Sequence, residues 1–331
     1  MRSMRTTALT ALATATLLGG LSLAPVAAQP NDDAADVVTD WNANALGAIS
    51  ASGAAPTLGS ALMGMVHGAV YDAVVSIAGG YEPYLGQVEA EPDASKVAAA
   101  AAAAHGVLEG LFPDQSADLQ ALLDASLAEV PEGPARDAGI AVGAAAAAAM
   151  LAAREGDGRG EPNPLTWDDG PGDHRPTPPA FAEYVDAGLA NVRTFLADDA
   201  AYYRTAAPLA LDSPEYAAEL EDVRTLGAAE GSTRTAEHEE LMAFWFGPAP
   251  PWSMAERWLT AEHDLDITDA ARLFAMSNLA AADAAIACQA DKYHYRFWRP
   301  ITAIQEADDD GNPETTGDPD WTPINGVTPP Y

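Results

Sequence analysis

The stretch SASGAAPTLGSALMGMVHGAVYDAVVSI, residues 50–77, carries the reading of the fold. Pro56 is suited to the first turn of a helix, where its missing N–H costs nothing. After it Leu58, Leu62, Met65, Val66, Ala69, Val70, Ala73 and Val74 recur at steps of three and four, an apolar stripe of helical period. His67 and Asp72 sit within the stripe and read as hydrogen-bonded packing residues. The same period recurs along most of the chain, predicting helices near 36–52, 57–78, 95–111, 115–129, 134–154, 234–246, 252–263 and 267–298, while the alternation of β-branched residues that marks strands is missing. Alanine tracts at 98–104 and 144–149 favour helix and close helix packing. The expected class is all-α.

The chain has 331 residues, enough for a substantial core, and a net charge of -33. That charge excludes a general nucleic-acid binder, because no basic stripe is present to displace counterions from a phosphate backbone. With alanine abundant and only two lysines, Lys96 and Lys292, the composition resembles that of proteins from salt-loving bacteria, where a short Debye length quiets self-repulsion. Residues 1–28 read as a secretory signal: Arg2 and Arg5, an apolar run from Ala8 to Leu23, and small residues at Val26 and Ala28 before the expected cut. A secreted or periplasmic protein follows. Beyond the signal no stretch reads as strongly apolar for the ~18 residues of a bilayer span, so no membrane span is expected. The lone Cys288 excludes an intrachain disulfide framework.

Between Glu155 and Pro179 the chain is too rich in glycine and proline for regular structure. Trp167, His174 and Arg175 favour an ordered loop on one helical domain (29–331) over a flexible linker. Several familiar sites are absent. HEELM at 238–242 has Met242 where a zinc-protease helix needs its second histidine. The ADDDGNPETTGD stretch has Pro313 where a calcium loop needs glycine, and reads as an acidic surface loop. Neither a phosphate-binding G-x-x-x-x-G-K loop nor a G-x-S-x-G elbow occurs.

What remains is DKYHYRFWRPITAI, residues 291–304. On one continuous helix, Lys292 and Arg299 are seven steps apart and return to within ~20° of one face, about 10 Å along the axis. Lysine offers a rotatable point charge and arginine a planar fork, a pair suited to a phosphate-like anion; a surface pairing with carboxylates is the plainer alternative. Ala281, Ala285 and Cys288 continue the face as a narrow strip that would admit a neighbouring helix, and Pro300 is expected to end the helix at Arg299.

Lysine, six residues, then Arg-Pro resembles the first motif of the superfamily that joins vanadium-dependent haloperoxidases to type 2 phosphatidic acid phosphatases and bacterial acid phosphatases. DAAIACQADKYHYRFWRPITAI followed by GNPETTGDPDWTPINGVTPPY is similar to its secreted bacterial haloperoxidase-like branch, as are WNANALGAI, MGMVHGAVYDAV, YEPY, HRPTPPAF and FWFGPAPPWSMAERW. The resemblance implies a helical bundle in which Lys292 and Arg299 are catalytic and cofactor-binding, holding the oxygens of vanadate or of a transferred phosphoryl group, with no metal ligand among the residues present. It implies peroxide and halide as small-molecule substrates with vanadate as cofactor. In the phosphatase alternative it implies a phosphate ester and no cofactor. A non-catalytic exported helical protein is the third reading, and a homo-oligomer is compatible with all three. Relatives continue into a Pro-Ser-Gly-His motif and a later Ser-Arg…His motif, neither of which occurs in these 331 residues. The expectation is an incomplete bundle, truncated at its C-terminus, inactive alone and exposing apolar surface. His294 is not expected to replace the missing histidines, being ~200° from Lys292 on the helix.

Overall fold

The computed structural model describes residues 31–164, 168–182, 187–246, 251–324 and 326. The signal reading of 1–28, Trp167 and the TPPY ending lie outside them. Ten helices occur among the described residues: α1 Asp36–Ala51, α2 Pro56–Ala78, α3 Lys96–Leu111, α4 Ser116–Ala128, α5 Pro134–Ala153, α6 Pro214–Gly227, α7 Ala236–Trp245, α8 Pro251–Glu262, α9 Ile267–Tyr295 and α10 Pro300–Gln305. Short 3-10 turns supplement them, and the few β contacts are isolated bridges. The all-α expectation holds.

The stripe of residues 58–74 explains only part of α2. From Ala61 to Ser76 every residue of this helix is buried, the polar His67 and Asp72 included. A helix apolar nearly all round must be wrapped on every side, and α2 is packed by α1, α3, α5 and α9. Close packing needs thin side chains. A Cβ added at Gly64 would lie 3.0 Å from the Cβ of Ala282, and one at Gly143 would lie 2.3 Å from the carbonyl oxygen of Ala99. The α2–α9 approach therefore runs through Gly64 and Ala282, one residue along from the strip expected at Ala281 and Ala285, while Cys288 is exposed.

Two buried carboxylates on this core hold the outer segments. Asp72 accepts the N–H groups of Tyr84 and Leu85 at 2.5 and 2.9 Å. Asp283 of α9 accepts those of Phe195 and Leu196 at 2.5 and 2.9 Å and the Tyr203 hydroxyl at 3.1 Å. Charge-assisted bonds of this kind are about twice as strong as neutral ones. They fix chain that has no helical hydrogen bonds of its own. The 155–179 excursion is anchored at its start by Asp157, paired with buried Arg154 at 2.8 Å and with Arg159 at 2.9 Å.

Three expectations change here. By length and composition α2, α5 and α9 are each long and apolar enough to cross a membrane, against the reading that no such stretch exists; alanine raised them above the threshold that strongly apolar residues were expected to set. In α2, 78% of that apolar window is buried inside the protein. The second change is that α6 and α10 were not anticipated. Together they bury Tyr216, Leu220, Ile301 and Ile304 with Trp298 and Trp321 as a second, smaller core. Third, the acidic 307–318 loop is not simply a surface loop: Asp310 and Asn312 are buried, and the Asn312 amide donates to the carbonyls of Leu211 and Ser213 at 2.7 and 3.0 Å.

Helices α7 and α8 have an unusual polarity. No residue of α7 is buried. The buried residues of α8 are Ser253, Glu256 and Thr260, while Trp252, Met254 and Trp258 are 59%, 50% and 61% exposed. Apolar surface is thus exposed on this pair, with Phe244 and Trp245 at the end of α7 and Phe246 just beyond it adding to it.

Candidate oxyanion site at the end of α9

Asp266 opens α9 by accepting the N–H groups of Thr268 and Asp269, both at 2.9 Å. The helix runs through Lys292 but stops at Tyr295, three residues before its expected end, because Arg296 turns into the left-handed region with φ 47°. What holds it there is the loop from the Gly/Pro-rich excursion. His174 N–H donates to the Arg296 carbonyl at 2.7 Å, and Trp298 N–H donates to the Gly172 carbonyl at 2.8 Å, so 172–174 and 296–298 pair as a short antiparallel bridge. Arg175 extends the attachment, donating to Glu306 at 2.8 Å and to the Asp169 carbonyl at 2.7 Å. Residues 169–175 of the excursion are clasped to this motif.

Lys292 and Arg299 therefore do not share a helix face. Arg299 lies in extended backbone, φ -79° and ψ 155°, as the N-cap of α10, and Pro300 begins that helix where it was expected to end α9. The two cations are nevertheless neighbours electrostatically. Burial lowers the Lys292 ammonium from its ordinary value; nearby Cys288 works against that, and the Arg299 guanidinium adds to it. Close enough to feel both charges is a residue that sequence spacing did not pick out as a site residue. His174 is buried, and its pKa is lowered to about 4 by burial and then by Arg299 and Lys292. Its ring is neutral at any ordinary pH. The signal was present in the HRPTPP stretch, but nothing in the spacing of residues so distant in sequence pairs it with Lys292.

The acidic neighbour of Lys292 points to other partners. Asp291 accepts the N–H and hydroxyl of Thr205 at 2.9 and 2.7 Å and lies 3.3 Å from Arg204. His294 is exposed and packs edge-on against Tyr295, consistent with its phase on the helix. Among the described residues no cluster of three histidine, cysteine or carboxylate side chains could hold a metal ion directly. The chemistry of this corner is that of an anion receptor: two cations whose mutual repulsion a negative guest relieves, beside a neutral imidazole able to hydrogen-bond.

Among the described residues the protein is an all-helical bundle, with Lys292 in the last turn of α9 and Arg299 at the N-cap of α10. Residues 272–331 match the family described as the VCPO second helical-bundle domain. Vanadium chloroperoxidase of Curvularia inaequalis is 39% identical over 61 residues, which are 18% of this chain and 9% of that protein, so the match spans less than a tenth of the relative's length. Among solved structures, the first bacterial vanadium-dependent iodoperoxidase aligns with a TM-score of 0.69 at 20% identity, covering 87% of this chain and 75% of that one. Holo-type bacterial vanadium-dependent chloroperoxidase aligns with a TM-score of 0.58 at 18% identity, covering 76% and 63%. Residues 272–331 thus match the chloroperoxidase second-bundle family, and the described helices share the fold of the bacterial vanadium-dependent haloperoxidases.

Proposed function

We propose that this chain carries the cationic part of a vanadate-binding site of haloperoxidase type, with Lys292 and Arg299 holding the oxyanion and His174 hydrogen-bonding beside it. The observation that carries the reading is the antiparallel bridge between 172–174 and 296–298, which sets the buried His174 beside the segment holding Lys292 and Arg299, near enough for both cations to lower its pKa. The group fits the residues, since the corner concentrates positive charge against a field of -33 and supplies donors of both forked and point-charge type. When bound, vanadate supplies the capacity to activate hydrogen peroxide for halide oxidation. The protein's own part is to neutralise the charge, orient the oxygens and keep His174 unprotonated. The relatives' names support vanadate over a phosphate ester as the physiological guest. The Pro-Ser-Gly-His and Ser-Arg…His motifs are not among the 331 residues, and the chain alone is expected to bind the oxyanion without turnover.

The test is binding first and activity second. Titration calorimetry with orthovanadate and with phosphate should show vanadate bound, and Lys292→Ala should weaken it. Unchanged binding in that variant would remove the site. Bromide oxidation with vanadate and peroxide, set beside p-nitrophenyl phosphate hydrolysis, separates peroxidase from phosphatase in any longer form of the protein, and activity in neither favours the non-catalytic reading. Export rests on the Arg2/Arg5, apolar and Ala28 pattern; N-terminal sequencing of protein recovered outside the cytoplasm should begin at Gln29.

A further inference from the structure

A cavity of about 450 Å³ lies along α9 with Lys292 in its wall, while neither Arg299 nor His174 contributes to its lining. Its volume falls within the roughly 300–1,000 Å³ typical of small-molecule sites. Ala284 and Ala287 of α9 line it with thin side chains, and the rings of Tyr203, Phe297 and Trp298 complete the lining. Tyr295, also on the wall, is fixed by donating its hydroxyl to the Thr205 carbonyl at 2.5 Å. Trp298 is buried, part of the smaller core, so that wall is rigid. Charge of both signs lines it: Asp291 is held by Arg204 and Thr205, and Lys292 adds a positive charge to the same surface.

A lining of aromatic rings and alanines that also includes a cation suits a flat apolar body with an anionic tip. We infer that this cavity binds a small aromatic molecule bearing an oxyanion, an aryl carboxylate or phenolate, with its ring against Phe297 and Trp298 and its charge toward Lys292. The inference rests on the reading of Lys292 as an anion-binding residue and deepens it by naming an organic guest on the other side of that lysine. A ligand seated there would lie beside the oxyanion corner without occupying it.

The chain supplies its own reporter. Cys288 is its one cysteine, exposed and in the wall of the cavity. Millimolar 4-hydroxybenzoate should slow alkylation of Cys288 by N-ethylmaleimide about fivefold, as occupancy at several times Kd requires, and equal acetate or benzamide should slow it far less. Equal protection by acetate, or none by 4-hydroxybenzoate, overturns the inference. Ala284 is exposed, so Ala284→Phe fills the space without disturbing the core. By calorimetry that variant should lose about tenfold or more in 4-hydroxybenzoate affinity while orthovanadate affinity stays as in the parent chain. In the parent chain, vanadate binding without 4-hydroxybenzoate binding sinks the cavity assignment alone, and absence of vanadate binding sinks the oxyanion corner, whatever the aryl result. Unchanged aryl affinity in the variant would place the ligand elsewhere.

Discussion

Lys292 stands out because lysine is nearly absent from this protein, while the shared helix face expected of it and Arg299 failed because α9 ends at Tyr295. Charge-assisted hydrogen bonds to an anion contribute about 1.5–3 kcal/mol. Lys292→Ala should therefore weaken vanadate binding by roughly ten- to a hundredfold, measured by calorimetry. A second residue makes a sharper test of the fold's electrostatics. Glu256 is buried on α8, accepts the Asn278 amide at 3.0 Å, and has its pKa raised to about 7 from an ordinary 4.5, chiefly by burial. A carboxyl raised in the folded state favours folding below its unfolded pKa, and this contribution is lost as pH climbs through the folded value. Glu256→Gln should match the parent in stability near pH 4 and exceed it by about 3 kcal/mol by pH 7 and above, read from urea unfolding across the range. His67 works in the opposite sense. Its ring, 2.9 Å from the Asn42 amide, is lowered to about 3 from 6.5 by burial and then by Arg257, so its contribution holds above pH 6.5 and fades as acid is added. Reading His67 as a packing residue was open to sequence because it falls in an apolar stripe. His174 was not so readable, since only the folding back of the loop onto α9 gives it neighbours.

Helices were legible where period and length agreed, and least so at their ends. The end of α9 shows why. Nothing in YHYRFWRP marks Tyr295 as the last helical residue, because Arg296 takes φ 47° under hydrogen bonds from a loop far away in sequence. Such a position favours glycine. Arg296→Gly should hold or raise stability by up to about 1 kcal/mol, whereas Arg296→Val, with its branch at Cβ, should lower it; thermal melts of the two report the difference. The short α10 and the polar α6 were missed because six residues carry too little period and α6 buries only Tyr216 and Leu220. Between α3 and α5 the contact is tighter than any pattern of period announces. A side chain at Gly143 would meet the Ala99 carbonyl, a backbone atom unable to yield without moving α3. Gly143→Ala should cost about 1–3 kcal/mol although alanine is the better helix former, and an unchanged melting temperature would show that the two helices can part.

On the scale of the molecule, a charge of -33 loads the folded surface with self-repulsion that salt relieves. Unfolding midpoints should rise as sodium chloride is added, and sedimentation should show any tendency to associate growing over the same range. The all-α class and its core could be foreseen, since α2 announces itself by composition alone. The outward aromatics of α7 and α8 could not, because apolar period is silent about which side a helix turns inward. Their exposure predicts fluorescence from a hydrophobic dye added to the native protein, reduced by Trp258→Glu.

With serine, glutamate and threonine inward and tryptophan outward, α8 gains little from leaving water, and α7 gains nothing at all. Their amide hydrogens should trade for deuterium within the earliest time points while those of α2 stay locked through global opening, so the molecule would unravel from this hairpin long before its centre yields.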